Sequence, residues 1–452
     1  MNFGAHRLSE AVFRALAAGG GGAAVRDLAA AQHSRHILLI RGVVDAAAGT
    51  RHPQAARTRR AYDLLADVQA HAPAEAEAVI RHPGTGAWAR RTLRALHGGA
   101  AAPDGGPTRP GPAVPAVPAD LAAVAAATAI RAGVAAVVEV PVHEGVVALP
   151  TLGRAVLASG GGGDRAVVRV APRGGAEIVA GDDRVRVPPD HRADAPGWHG
   201  VRRLSAEAGG SGIELLLDDV DAHCLPAATT AAGRLTAAEV ARWQVLLDGA
   251  WQLLVKHHWT VAAEIGEIVR VLAPLAPPTA GQVSVSSRET FGCVALSAPE
   301  DDRVLAVTLA HEVQHAKLTA LLDLVPLTLP DTGARYYAPW RDDPRPVSGL
   351  LQGVYAHLGV AGFWRRQRLH EHGNAAIRAN AEFVRWRDAA AEVVRTLTAS
   401  GALTPEGTAF VSSMNRTLAG WRGEPVPDPA LGLARRAAER HRRHWRLRNG
   451  SP

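Results

Sequence analysis

The chain has 452 residues, 47% of them apolar, and a formal charge of +7 at neutral pH. Such a length supports two or three domains with a large core, and the composition excludes a disordered or fibrous protein. Nearly every basic residue is Arg, Lys256 and Lys317 being the only lysines, and the surplus is dispersed, so no nucleic-acid partner is expected.

In chain order, Arg7, Glu10, Arg14 and Arg26 interrupt every early apolar stretch, which predicts no signal peptide. Residues 1–98 read as an N-terminal helical region. Ala11, Leu16, Leu28, Ile37, Leu38, Val43, Leu64, Leu65 and Val68 recur at helical intervals, and Gly19 to Gly22 break the pattern. The stretch from Arg81 to Trp88 predicts a turn, followed by a helix to Leu96. Residues 99–132 read as a Gly/Pro/Ala-rich linker and a helix. The longest apolar run, 121–142, contains Arg131 and Glu139, so no membrane span is expected.

Residues 133–225 change character. Val-rich segments at 137–142, 146–152, 167–170 and 212–217 alternate with Gly, Asp and Pro turns, which predicts a β-rich module. Cys224 and Cys293 are the only cysteines and neither lies in a C-x-x-C pair, so a cytoplasmic setting is expected.

Residues 226–452 read as a helical domain. Its first helix, 236–271, carries Trp243, Leu246, Leu247, Trp251, Leu254 and Val255 on one stripe, which reads as core. A strand is expected within 283–296. Ser297-Ala298-Pro299-Glu300-Asp301-Asp302 then supplies a cap, a proline and first-turn acids, predicting a helix from about 300 to 324 that stops before Pro326. A loop at 326–347, a helix at about 349–370 and further helices complete the chain. The basic run from Arg435 to Arg448 reads as a solvated helix. The expected fold class is α+β, mainly helical, with a zincin-like H-E-x-x-H helix beside an edge strand and a β-rich middle module.

That helix carries His311-Glu312-Val313-Gln314-His315. Residues four apart share one helix face, so the two imidazoles can take one metal ion with the Glu312 carboxylate beside them. An extended H-E-x-x-H-x-x-G-x-x-H pattern fails, because Leu318 and Leu321 occupy its last two positions. His357, on the next expected helix, is the best candidate for a third ligand; Asp342, Asp343 and Glu371 are carboxylate alternatives. The loop between the helices holds Tyr336, Tyr337, Trp340, Arg341, Asp342, Asp343 and Arg345, with fork-shaped guanidiniums suited to a carboxylate.

From His311 to Leu318 and on through Ala320-Leu321-Leu322-Asp323, the segment resembles the actinobacterial HExxH motif-containing proteins, a family of 2-oxoglutarate-dependent HExxH-type peptide β-hydroxylases. Trp340-Arg341-x-Asp343-Pro344-Arg345-Pro346, the segment from Gly353 to His357, and His82-Pro83-x-x-Gly86-x-Trp88 resemble the same family. The likeness spans most of the chain and is loosest in the β-rich middle and the C-terminal helices. It implies Fe(II) and 2-oxoglutarate as cofactors, with His311, His315 and His357 on iron. Arg341 or Arg345 would clamp the distal carboxylate of 2-oxoglutarate, with Tyr337 in the same binding group. Glu312 would be a hydrogen-bonding group of the catalytic centre. It also implies a ribosomally made precursor peptide as substrate and a radical-SAM maturation enzyme as a neighbour in the pathway. The motif alone favours another reading, a zinc-dependent metallopeptidase in which Glu312 is the general base and 283–296 pairs with the peptide. A metal-free scaffold is a third reading, which the intact motif opposes.

Overall fold

The computed structural model describes residues 6–98, 117–158, 163–172, 175–220, 224, 231–278 and 283–450. Five helices open the chain: α1 (Glu10–Ala17), α2 (Ala23–Gly49), α3 (Ala55–His71), α4 (Pro73–Ile80) and α5 (Pro83–Leu96). After a short 3-10 turn come α6 (Leu121–Ala132) and nine strands. These are β1 (Ala136–Pro141), β2 (Val146–Leu149), β3 (Gly153–Val156), β4 (Arg165–Val170), β5 (Ala176–Ala180), β6 (Asp183–Val187), β7 (Trp198–Gly200), β8 (Arg202–Ala208) and β9 (Ser211–Leu217). Next follow α7 (Ala237–His257), α8 (Trp259–Ile268), β10 (Val271–Leu275), β11 (Ser284–Val285) and β12 (Cys293–Ser297). The last five helices are α9 (Asp302–Leu322), α10 (Val347–Gln367), α11 (Gly373–Ala399), α12 (Pro405–Trp421) and α13 (Asp428–Asn449). The molecule is α+β and mainly helical. Among the described residues no helix is long and apolar enough to cross a membrane.

Three sheets form. One has the order β1-β4-β5-β6, one β2-β3-β7, and one β11-β12-β10-β9-β8. The third crosses the expected boundary at 225/226. Leu216 and Leu217 of β9 pair in parallel with Val271 and Leu272 of β10, and β10 pairs in parallel with β12. The hairpin β8–β9 therefore belongs with the H-E-x-x-H helix, not with the β-rich module before it. The reason is burial. β10 and β12 are buried along their whole length, so both edges of each need partners, and β9 supplies one.

That sheet positions the site. Its Leu204, Leu215, Leu272, Val294 and Leu296 pack with Trp243, Leu247, Trp251 and Leu254 of α7, and with Leu305, Leu309 and Val313 of α9. The α9 residues are four apart and form one stripe, which turns His311 and His315 away from the sheet. Further along, Leu318 and Leu321 pack with Leu350, Leu351, Val354 and Leu358 of α10.

Several local expectations shift. The helix expected over 236–271 breaks at His258 into α7 and α8, and 271 already lies in β10. The strand at 283–296 is two strands, β11 and β12, running antiparallel. Ser297 ends β12, and the cap of α9 is Asp301, whose Oδ1 accepts from the Val304 N–H at 2.7 Å. The predicted turn at 81–88 is helix from Pro83 on, because Pro83 sits at the N-terminus of α5 where its missing N–H costs nothing. The linker expected from residue 99 lies outside the described residues as far as 116.

Candidate metal centre

His311 and His315 stand one turn apart on α9, and their Nε2 atoms are 3.1 Å apart. α10 runs back along α9 and along α11. The close approach depends on Gly359, where a Cβ would lie 2.6 Å from Gln314 Cγ. This return brings the His357 ring to 5.1 Å from that of His311, edge to face. The structure thus gathers all three histidines singled out in the sequence.

Hydrogen bonds orient the rings. His357 Nδ1 donates to the Gly353 carbonyl at 2.8 Å, and His315 Nδ1 donates to Gln352 Oε1 at 3.2 Å. Both then present the Nε2 lone pair, as ligating imidazoles do. Nitrogen ligands about 2.0–2.1 Å from a metal lie roughly 3.0–3.4 Å from each other, which matches the His311–His315 spacing, so these two residues fit a divalent cation with the His357 ring beside them. Charge agrees. Burial, followed by the neighbouring imidazole, lowers His311 to about 4, and burial pushes His357 well below the ordinary histidine value. Both are neutral at physiological pH, the form that binds metal.

Two tryptophans enclose the third histidine. Trp340 stacks on the His357 ring at 4.3 Å and 13°, and Trp386 of α11 lies against it at 4.6 Å. Gly353 makes room for the first: a Cβ there would sit 2.4 Å from Trp340 Nε1. The loop that delivers Trp340 is closed at its base by paired backbone hydrogen bonds between Tyr336 and Arg345.

Glu312 is buried beside the imidazoles. Its Oε1 accepts from Ser284 Oγ on β11 at 2.7 Å, and its Oε2 has no hydrogen-bond partner among the described residues. The edge strand and the H-E-x-x-H helix are thereby tied at the site.

The remaining candidates point elsewhere. Arg341 and Arg345 both donate to Asp343, at 2.9 and 3.1 Å. Asp342 accepts from Arg448, and Glu371 from Arg303 and Gln367. Tyr337 meets His441 Nδ1 at 2.9 Å and the Trp445 ring, on α13. Sequence reasoning missed Gln352 and Trp386 as neighbours of the centre. Trp340 lay in the loop already marked, and Ser284 in the expected edge strand, without a role for its hydroxyl.

A second convergence lies outside this centre: His82, Asp218 and Cys224 are all buried, with one possible ligand atom from each within 4.8 Å of the others. No local pattern announces it, since the three come from α5's start, β9's end and a position beyond. Compared with known proteins, the chain matches no family model and no curated sequence.

Proposed function

We propose that the protein is an Fe(II)- and 2-oxoglutarate-dependent hydroxylase that installs a β-hydroxyl on a side chain of a ribosomally made precursor peptide. The observation that carries this reading is the meeting of three imidazoles from α9 and α10, with His311 and His357 held neutral by burial. Imidazole ligands bring no charge to a dication and leave coordination positions open, which suits a chelating dianion. Bound there, iron with 2-oxoglutarate and O₂ supplies the oxygen atom for hydroxylation and releases succinate and CO₂.

The chain's own residues have separable tasks. His311, His315 and His357 hold the metal. Gln352 and the Gly353 carbonyl fix the rings, and Trp340 and Trp386 keep water from His357. Ser284 holds one Glu312 oxygen in place, leaving the other to hydrogen-bond in the centre. Arg341 and Arg345 share Asp343, so accepting a further carboxylate exchanges one anionic partner for another. The resemblance of the motif and the Trp340-to-Pro346 loop to the peptide β-hydroxylases supports the substrate class and a cytoplasmic, radical-SAM-associated pathway.

A specific observation favours a second reading, a zinc metallopeptidase. The short antiparallel edge strand β11 lies beside the motif helix and touches Glu312, a zincin-like arrangement in which an extended peptide can pair with the edge. There Glu312 would take the proton of the attacking water. Succinate release from Fe(II)-loaded protein in air, with and without precursor peptide, separates the two. Peptide-stimulated succinate, lost in His311→Ala and only weakened in Glu312→Gln, is expected. Peptide cleavage with zinc that vanishes in Glu312→Gln, without succinate, would establish the peptidase instead.

A further inference from the structure

A cavity of about 540 Å³ opens between α11 and α13, with Tyr337 and Pro339 of the metal-site loop at one end. That volume falls within the about 300–1,000 Å³ of ligand-sized clefts. Its floor is apolar, formed by Val384, Ala391, Leu431 and Ala434. Its walls hold six arginines, Arg385, Arg387, Arg395, Arg422, Arg435 and Arg442, against two carboxylates. Both carboxylates are already satisfied: Asp388 by Arg387, and Glu392 by Arg442. Among the described residues Arg395, Arg422 and Arg435 make no ion pair, and all three are exposed at the rim.

The cavity shares a wall with the metal centre. Trp386 lines it, and the same ring packs on His357. Arg385 lies over that tryptophan, 4.3 Å from the ring centroid. A ligand held in the cavity is therefore one aromatic ring away from the imidazoles that would hold the metal.

We propose that this cavity is the docking site for an acidic segment of the substrate peptide, its carboxylates on the rim arginines and its aliphatic parts on the floor. Forked guanidiniums recognise carboxylates bidentately, and an excess of one sign on a cleft steers the opposite charge into it. The identification of the occupant as substrate rests on the hydroxylase reading; the binding itself does not.

The test uses the full chain and fluorescein-labelled dodecapeptides of alternating Ala and Glu or alternating Ala and Lys, read by anisotropy. The Glu peptide should bind and the Lys peptide should not. Arg395→Glu, Arg422→Glu and Arg435→Glu combined should weaken the Glu peptide at least about tenfold, as loss of complementary charge requires. If the triple variant loses its native melting transition, the three single variants carry the comparison, each expected to weaken binding about threefold. His311→Ala should bind as the parent does, since the metal is not part of this site; a parent protein that binds the Glu peptide yet forms no succinate with Fe(II), 2-oxoglutarate and precursor peptide would overturn the hydroxylase reading and not the site. Equal affinity for the Lys peptide, affinity unchanged by the charge reversals, or tighter binding of an oligouridylate would each overturn the proposal.

Discussion

His315 and His357 are each set by one partner on the far nitrogen, and these partners are open to test. Gln352 holds His315 Nδ1, and replacing it by Ala should lower metal affinity about 10–100-fold while the fold persists, measured by competition with a chelator. Gly353 gives the Trp340 ring its place over His357. Gly353→Ala puts a Cβ where 2.4 Å remains, and overpacking of that kind costs about 1–3 kcal/mol. The loss should appear in urea unfolding, together with weaker metal binding because the ring over His357 moves. At this scale the sequence was partly legible. His311 and His315 stand at helical spacing in one motif, and His357 lies on the next expected helix. The tryptophans that enclose His357 come from a loop and from another helix, and no spacing relates them to it.

α9 is tied to its neighbours by a buried ion pair. Lys317, fully buried, pairs with Glu264 of α8 at 2.9 Å and donates to the Gly19 carbonyl at 3.2 Å. A buried charge without its partner is costly, so Lys317→Met alone should destabilise by about 3–5 kcal/mol, and Lys317→Met with Glu264→Leu should recover most of it. Urea midpoints of the single and double variants check this. A double variant no more stable than the single would show that the pair acts by shape alone. The helices were the legible elements, since α9, α10 and the stripe of α7 have clear periodicity and, for α9, an acidic start. Strands with charged residues were not. β6 reads Asp-Arg-Val-Arg-Val and β8 begins Arg-Arg, because one face of each is exposed and only Val185, Val187, Leu204 and Ala206 turn inward. β10 escaped for the opposite reason: its uniform burial removes any alternation.

Across the whole molecule, sheet and helices from both halves of the chain meet on α9. The third sheet crosses the expected division at 225/226 because parallel pairing of β9 with β10 joins residues far apart in sequence, and pattern reading sees only neighbours. Buried histidines distribute a pH dependence over the same structure. His36, whose Nδ1 donates to the Ile80 carbonyl and whose ring faces Gly86, and His258, against Gln367, are both lowered to about 4, in each case chiefly by burial. Folded, they stay neutral; unfolded, they protonate near 6.5. The unfolded state therefore binds more protons between about 6.5 and 4, and stability is lost as pH falls through that window, by about 3 kcal/mol for each group in all and about 2 kcal/mol by pH 5. Urea midpoints at pH 7.5 and pH 5 should differ accordingly, and a flat profile would contradict the burial of these rings. The central claim is that His311, His315 and His357 together hold an iron that 2-oxoglutarate chelates. Its most direct test is an anaerobic titration of the Fe(II)-loaded protein with 2-oxoglutarate, followed by visible charge-transfer absorbance. A band that saturates in the parent protein and is absent in His357→Ala is predicted. No band in the parent, with zinc-dependent peptide cleavage in its place, would contradict the account.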